Sequence, residues 1–320
     1  MRILVIGGTE FMGREIVRRL VARGHDVTVL HRRASHDLGS AVHNLKADRG
    51  DLPALEKLLG RERFDAVFDT AFDWAKGTTA AQVEAAARSA RPAHRYVFMS
   101  SIAAYRPGLN LREGDPLVPD DEPNPYAVHK ASAERALFRL AAEDGLPVAT
   151  LRPPFVHGPR QPFYREQFFW DRLRDGRPII LPDGGDTLMH WAFVDDVAEA
   201  CVRAMEVPEA AGEAFNVGHE SPVTHREFVE ALARTAGVTP RFVPVPRERI
   251  MKEGGNPFAG NLYFGEYLDL PPMTEVVEKA KRILGVTPTP FDEALRKGFA
   301  WYRDQPRRQI DYAFEDRLLA

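Results

Sequence analysis

A phenol and a primary amine stand four residues apart in Tyr126-Ala-Val-His-Lys130. On a helix that spacing puts both side chains on one face, about one turn apart. A free tyrosine titrates near pH ~10, so proton exchange near neutrality needs a shift of roughly three units, or about 4 kcal/mol. An ammonium about 4 Å away, at an effective dielectric constant near 20, supplies about that much. A tyrosine near a lysine is common on helices. What distinguishes this pair is its place: it follows Tyr96-Val-Phe-Met-Ser-Ser101, an apolar strand ending in two serines, and its helix leads to another strand, Val148-Ala-Thr-Leu-Arg152. Open α/β sheets place their chemistry at such carboxyl ends.

A second constellation opens the chain. Arg2 to Ile6 is a short β-branched apolar run suited to a central parallel strand, and Gly7-Gly8 ends it. From Phe11 onward Met12, Ile16, Val17, Leu20 and Val21 fall at helical spacing, with Gly24 where a left-handed C-terminal residue belongs. The first N–H groups of such a helix lack partners and carry partial positive charge, so Gly7-x-x-Glu10-x-x-Gly13 is suited to a pyrophosphate. Tight packing of strand on helix explains the glycines equally well. Glu10 stands where a third glycine is usual.

Asp26 to Leu30 reads as the second strand, followed by His31, Arg32 and Arg33. In dinucleotide folds an acid just past this strand accepts the ribose 2′-hydroxyl of NAD. Here the residue is His31, and two guanidiniums that can pair with a 2′-phosphate favour NADP, with NAD the alternative. The bland reading is a solvated basic loop. Asp48 ends a third strand, Leu45 to Asp48, where it could bond adenine or simply cap a turn. Further strands are expected at 64–70 and 96–101, and helices at 52–59, 80–90 and 126–144, the last closed by Gly145.

Farther on, Phe168, Phe169, Trp170 and Leu173 read as core or a subunit contact, and Arg165, Arg172, Arg174 and Arg177 as a mostly solvated set, with a substrate-phosphate role for one of them the alternative. Asp183-Gly-Gly-Asp186 suggests a hairpin. Amphipathic helices are expected at about 224–236, 273–284 and 290–302, with a Gly/Asn/aromatic loop at 254–265 able to close over a substrate. The fold class is therefore α/β: a Rossmann-type doubly wound parallel sheet with a smaller C-terminal α+β substrate lobe. The dinucleotide-binding domain takes residues 1–162, with 190–220 returning to it, and the lobe takes 163–189 and 221–320.

Bulk properties limit the alternatives. The chain has 320 residues, 44% hydrophobic and 28% charged, and a formal net charge of -3. That is an ordinary globular composition without the basic excess of a general nucleic-acid surface. No segment approaches the ~20 apolar residues of a membrane span. A strand beginning at residue 2 leaves no room for a signal peptide, so a cytoplasmic protein is expected. The single cysteine, Cys201, reads as a small buried helix residue and excludes an intramolecular disulfide. The ten histidines form no zinc-type pair, and no metal site is expected.

Ile6 to Gly13, Phe98 to Tyr105, Asn124 to Lys130, Leu151 to Pro159, Val194 to Ala198 and Phe215 to Gly218 together resemble an extended short-chain dehydrogenase/reductase of the NAD-dependent epimerase/dehydratase superfamily. The resemblance implies Ser101, Tyr126 and Lys130 as the catalytic set. Ser101 would orient a substrate oxygen, Tyr126 would exchange its proton, and Lys130 would hold the nicotinamide ribose. It also implies cofactor contacts from Gly7, Thr9, Glu10, Phe11, Met12, Gly13, Ser100, Tyr126, Lys130, Pro153 and Phe155, and often a homodimer. The expected partner is a small sugar-like or polar hydroxyl or carbonyl compound. A nucleotide sugar is among the candidates, but Met189 stands where nucleotide-sugar enzymes commonly carry an arginine, which puts a UDP- or dTDP-sugar in doubt. Glu10 is similar to an atypical branch that includes chloroplast stem-loop RNA-binding proteins. An RNA-binding or nuclease-like protein and a cofactor-sensing regulator are therefore the competing classes.

Overall fold

Two apolar alternations, one on each face of a central sheet, organise the computed structural model, which describes residues 1–255 and 271–320. The strands are β1 (Arg2–Ile6), β2 (Asp26–His31), β3 (Val42–Lys46), β4 (Ala66–Asp69), β5 (Arg95–Met99), β6 (Val148–Arg152) and, late in the chain, Glu213–Asn216. Every pairing between them is parallel, with spatial order Glu213–Asn216, β6, β5, β4, β1, β2, β3. Ile3, Val5, Phe68, Val97 and Leu151 point to one face, beneath α1 (Phe11–Ala22) and the helix Val194–Glu206. Leu4, Ile6, Val67, Tyr96 and Phe98 point to the other, beneath α2 (Leu52–Leu59), α3 (Ala80–Ala90) and α4 (Pro125–Asp144). The period-2 alternation of a strand thus feeds two cores at once.

The site follows from the strand order. After β1 the chain runs outward to β2 and β3, then returns to the other side of β1 to form β4, β5 and β6. Crossover loops therefore leave in opposite directions at the β1–β4 boundary, and a cleft opens above their carboxyl ends. The helix boundaries there are chemically marked. Asn124 accepts N–H bonds from Tyr126 and Ala127 at the start of α4, and Gly145 ends it with φ +69°.

A separate apolar cluster contains Phe168, Phe169, Trp170, Trp191, Phe228, Leu232 and Leu295, drawn from helices Glu166–Arg174, His225–Ala236 and Phe291–Arg303. Several expectations change here. Asp183 to Asp186 is no hairpin: the strand before it, Ile179–Pro182, pairs in parallel with Phe242–Val245. The strand after it, Leu188–Met189, pairs with Val223–Thr224. The turn instead changes sheets, with Asp183, Gly184 and Gly185 all at positive φ.

The helix expected at 273–284 begins later, because the backbone of Thr274 and Val276 is bonded to Gly108 and Leu111, and only its end is coiled, as a π-helical turn at Ala280–Leu284. Two of the arginines expected in solvent are buried, Arg165 and Arg172, the latter 1% exposed and meeting Glu315 at 2.6 Å, whereas Arg174 is exposed as expected, with Asp171 at 3.0 Å, and Arg177 is half-buried. Cys201 is buried. Of the loop at 254–265, all but Gly254 and Gly255 lie outside the described residues. Among the described residues no helix is long and apolar enough to cross a membrane.

Candidate active site

The turn between β1 and α1 is built by two demanding glycines. Gly7 has φ +87°, and a Cβ there would lie 2.9 Å from the Ala71 backbone. A Cβ on Gly13 would lie 2.3 Å from the Gly7 carbonyl oxygen, so its absence lets α1 sit directly on the strand end. Thr70, at the end of β4, ties the turn down by donating to the Ile6 oxygen at 3.0 Å. Glu10 needs no glycine for backbone reasons: φ -134°, ψ 150° is ordinary extended chain. The unusual residue is Phe11 at φ +39°, held there by a ring 8% exposed in the core beneath the turn.

No side chain caps the start of α1, so its first N–H groups are left for an anion, as a pyrophosphate requires. The Glu10 side chain turns away from them and pairs with Arg33.

One cleft of about 370 Å³ is lined by Gly7, Thr9, Glu10, Phe11, Met12, Gly13, His31, Arg32, Arg33, Asp48, Ser100, Ser101, Tyr126, Lys130 and Pro153. Of the residues expected at the cofactor, Phe155 is the exception. In the strand Phe155–His157 its ring packs on Trp191, 5.4 Å between centroids, with the Arg165 guanidinium on it, and it does not line the cleft.

At the β2 end, His31 takes an N–H bond from Arg33 on Nδ1 at 3.2 Å, so Nε2 carries the proton and donates to Asn44 at 2.5 Å. Burial holds its pKa below the usual value, keeping it neutral. Asp48 acts as a turn residue, its Oδ1 accepting the Gly50 N–H at 2.8 Å, while Asp51 caps α2. Arg32 reaches Asp73, in the loop after β4, at 3.2 Å.

At the other end, Lys130 donates to the Met99 carbonyl at 2.6 Å, which fixes its ammonium against the end of β5. The nitrogen lies 5.8 Å from the centre of the Tyr126 ring. Burial lowers the Lys130 pKa to about 8, with Asp69 opposing the shift.

Ser101 Oγ accepts the Ala103 N–H at 3.2 Å, capping a short 3₁₀ turn and leaving its own proton to donate. Ser100 Oγ is buried with no protein partner among the described residues. The second tyrosine of this region, Tyr105, is structural: its hydroxyl donates to Asn216 at 2.7 Å and accepts from Arg152 at 2.6 Å. Burial raises its pKa strongly.

Spacing alone did not reveal two further groups. Arg49 enters the cleft wall and meets Asp69 through two 2.6 Å bonds, with Tyr96 donating to the same carboxylate at 2.8 Å. Its only signal was a charged pair, Asp48-Arg49, following a strand. Phe72, Trp74 and Phe163 surround Tyr126. Trp74 stacks on its ring at 5.2 Å, Phe72 meets it edge-on at 4.9 Å, and Phe163 meets Trp74 edge-on at 4.9 Å. Trp74 is 62% exposed, an unusual amount for so large an apolar side chain, and its signal was two aromatics placed just beyond a strand's carboxyl end.

A parallel sheet with its cleft at the switch point defines a Rossmann-type α/β protein. The chain belongs to the NAD dependent epimerase/dehydratase family, whose profile matches residues 3–218. It is 29% identical over 340 residues to the chloroplast stem-loop binding protein of 41 kDa b from Arabidopsis thaliana, covering 100% of this chain and 84% of that protein. It is 31% identical to a UDP-glucose 4-epimerase of Mycolicibacterium smegmatis over 76% of this chain and 86% of the relative. Among solved structures, the UDP-glucose 4-epimerase of Thermus thermophilus in complex with NAD has a TM-score of 0.72 at 24% identity, covering 96% of this chain and 100% of that one.

Proposed function

We propose that the chain is a nicotinamide-dinucleotide-dependent oxidoreductase of the epimerase/dehydratase type, acting on a carbon that carries a hydroxyl or carbonyl. The observation that carries this reading is the meeting of Ser101, Tyr126 and the buried Lys130 in the cleft that also holds the uncapped end of α1. A bound nicotinamide supplies hydride acceptance or donation at the substrate carbon. Tyr126 takes the proton from the substrate hydroxyl as that carbon loses hydride, and returns it in the reverse direction. Lys130 lowers the cost of the phenolate by its charge. Ser101 donates its proton to the substrate oxygen and so fixes the carbon opposite the cofactor face. The NADP preference expected from Arg32 and Arg33 has no support beyond those two residues, each of which already holds a carboxylate.

The substrate wall within reach of Tyr126 includes Phe72, Trp74 and Phe163, and Met189 is a 3% exposed residue of the apolar cluster. Neither feature favours a nucleotide sugar, although the related epimerases act on UDP-glucose by name. Tyr126→Phe should lower turnover about 10³-fold while cofactor affinity stays within about twofold. A mass or NMR readout against panels of carbonyl compounds and nucleotide sugars is required, because epimerisation by internal redox gives no net absorbance change. Retained turnover in Tyr126→Phe would sink the assignment.

A second reading, stem-loop RNA binding, is favoured by the full-length similarity to the chloroplast protein. Its mark would be RNA affinity that falls steeply with salt and does not depend on Tyr126.

A further inference from the structure

The usual carboxylate past the second strand is missing, and the residue in its place is not available. His31 has both ring nitrogens engaged within the protein, one by the Arg33 backbone and one by Asn44. A carboxylate does reach this part of the cleft, but from the turn between β1 and α1. Glu10, on the turn that receives the pyrophosphate, extends to the Arg33 guanidinium, and the two side chains are 61% and 67% exposed. Both residues line the cleft together with His31 and Asp48.

The second guanidinium is matched in the same way. Asp73 is held by the N–H groups of Ala75 and Lys76 at 2.9 and 3.1 Å and meets Arg32 at 3.2 Å. The two arginines that could take a 2′-phosphate are therefore each balanced by a carboxylate, and the local charge of these four groups is zero.

We infer that Glu10 is the ribose-selecting acid of this protein, supplied by the glycine turn instead of the end of β2, and that it makes the site prefer NAD over NADP. The inference rests on the proposed cofactor role of the cleft. A ribose diol arriving beside the Glu10–Arg33 pair finds an acceptor already oriented by a guanidinium, and its hydroxyl can donate to a free lone pair of that carboxylate without breaking the pair. A 2′-phosphate in the same place meets the Glu10 charge first. It gains Arg33 only by displacing Glu10, and Arg32 only by displacing Asp73. The same arrangement explains why a glutamate is tolerated at the middle glycine position: its backbone is extended, and its charge is turned from the pyrophosphate toward the ribose.

The test is a direct binding titration with NADH and NADPH, read by nucleotide fluorescence and calorimetry, on the wild type, Glu10→Gln, Asp73→Asn and the double variant. All are purified full-length chains. The wild type should bind NADH more tightly. Glu10→Gln keeps the shape and removes the charge, and should move the NADPH-to-NADH affinity ratio toward NADPH by about tenfold, a change of about 1.4 kcal/mol. Asp73→Asn should add a smaller shift in the same direction. Arg33→Ala should weaken NADPH in the Glu10→Gln background and leave NADH within about threefold.

A wild type that prefers NADPH, or a ratio that Glu10→Gln leaves within twofold, would overturn the inference while the cofactor reading stands. Binding of neither nucleotide to the wild type would overturn both.

Discussion

The two ends of the cleft solve the same problem, placing charge beside a ligand, by opposite means. At the reacting end the charged groups are buried and fixed by backbone or by paired side chains. Lys130 is held by the Met99 carbonyl, and Arg49 by both oxygens of Asp69. At the ribose end Glu10 and Arg33 are more than half exposed and meet only through their tips. Buried charges carry a large desolvation cost and so allow one arrangement, whereas exposed pairs contribute little and can exchange partners with a ligand. On the proposed reading, rigidity falls where a proton would move over a fixed distance, and exchangeability where a cofactor would be admitted and chosen.

The largest break in this contrast should come from Arg49→Met. It leaves the Asp69 carboxylate buried with Tyr96 as its hydrogen-bonding side-chain partner, and should cost about 3–5 kcal/mol in urea unfolding. The double variant Arg49→Met with Asp69→Leu should recover most of it; a single variant costing under ~1 kcal/mol would show that the pair is not buried in solution.

The Lys130 shift gives a pH signature. Its folded pKa of about 8 lies below the unfolded value of 10.5, so the unfolded chain binds more protons between those limits. Stability contributed by this group therefore rises as pH increases from about 8 toward 10.5, by up to about 3 kcal/mol. The check is the stability difference between wild type and Lys130→Met at pH values across that window. A flat difference would mean that the ammonium is solvated.

Tyr105→Phe leaves Asn216 and Arg152 each one bond short and should cost about 1–3 kcal/mol, with turnover retained per folded molecule. Loss of turnover without loss of stability would move the proton-transfer role from Tyr126 to Tyr105. The smallest effect belongs to the exposed pair. Arg33→Ala should change stability by less than about 1 kcal/mol, measured at low salt where the pair is least screened. A larger cost would make it a structural clamp.

Much of this was legible before any coordinates, and for one reason: local spacing projects directly into space. Continuous apolar runs over 2–6 and 96–99 specified strands covered on both faces, and the four-residue interval from Tyr126 to Lys130 put both groups on one face. Gly13 announced a close helix approach. What escaped depended on residues far apart in sequence. Asp183 to Asp186 looks like a hairpin because its composition fits a tight turn, but the preceding strand's partners at Phe242–Val245, 63 residues on in register, decided otherwise. Arg172 looked solvated until Glu315, 143 residues later, gave it a buried partner.

The parallel sheet, the glycine turn and the Tyr126–Lys130 spacing follow from local chain chemistry, because each depends on backbone preference and periodicity within a few turns. Where the charges point came from the folded chain as a whole. It set Glu10 toward Arg33, closed both nitrogens of His31, brought Arg49 to Asp69 and laid Trp74 over Tyr126. Those placements are long-range electrostatic and packing choices, made when separate loops converge over the switch point.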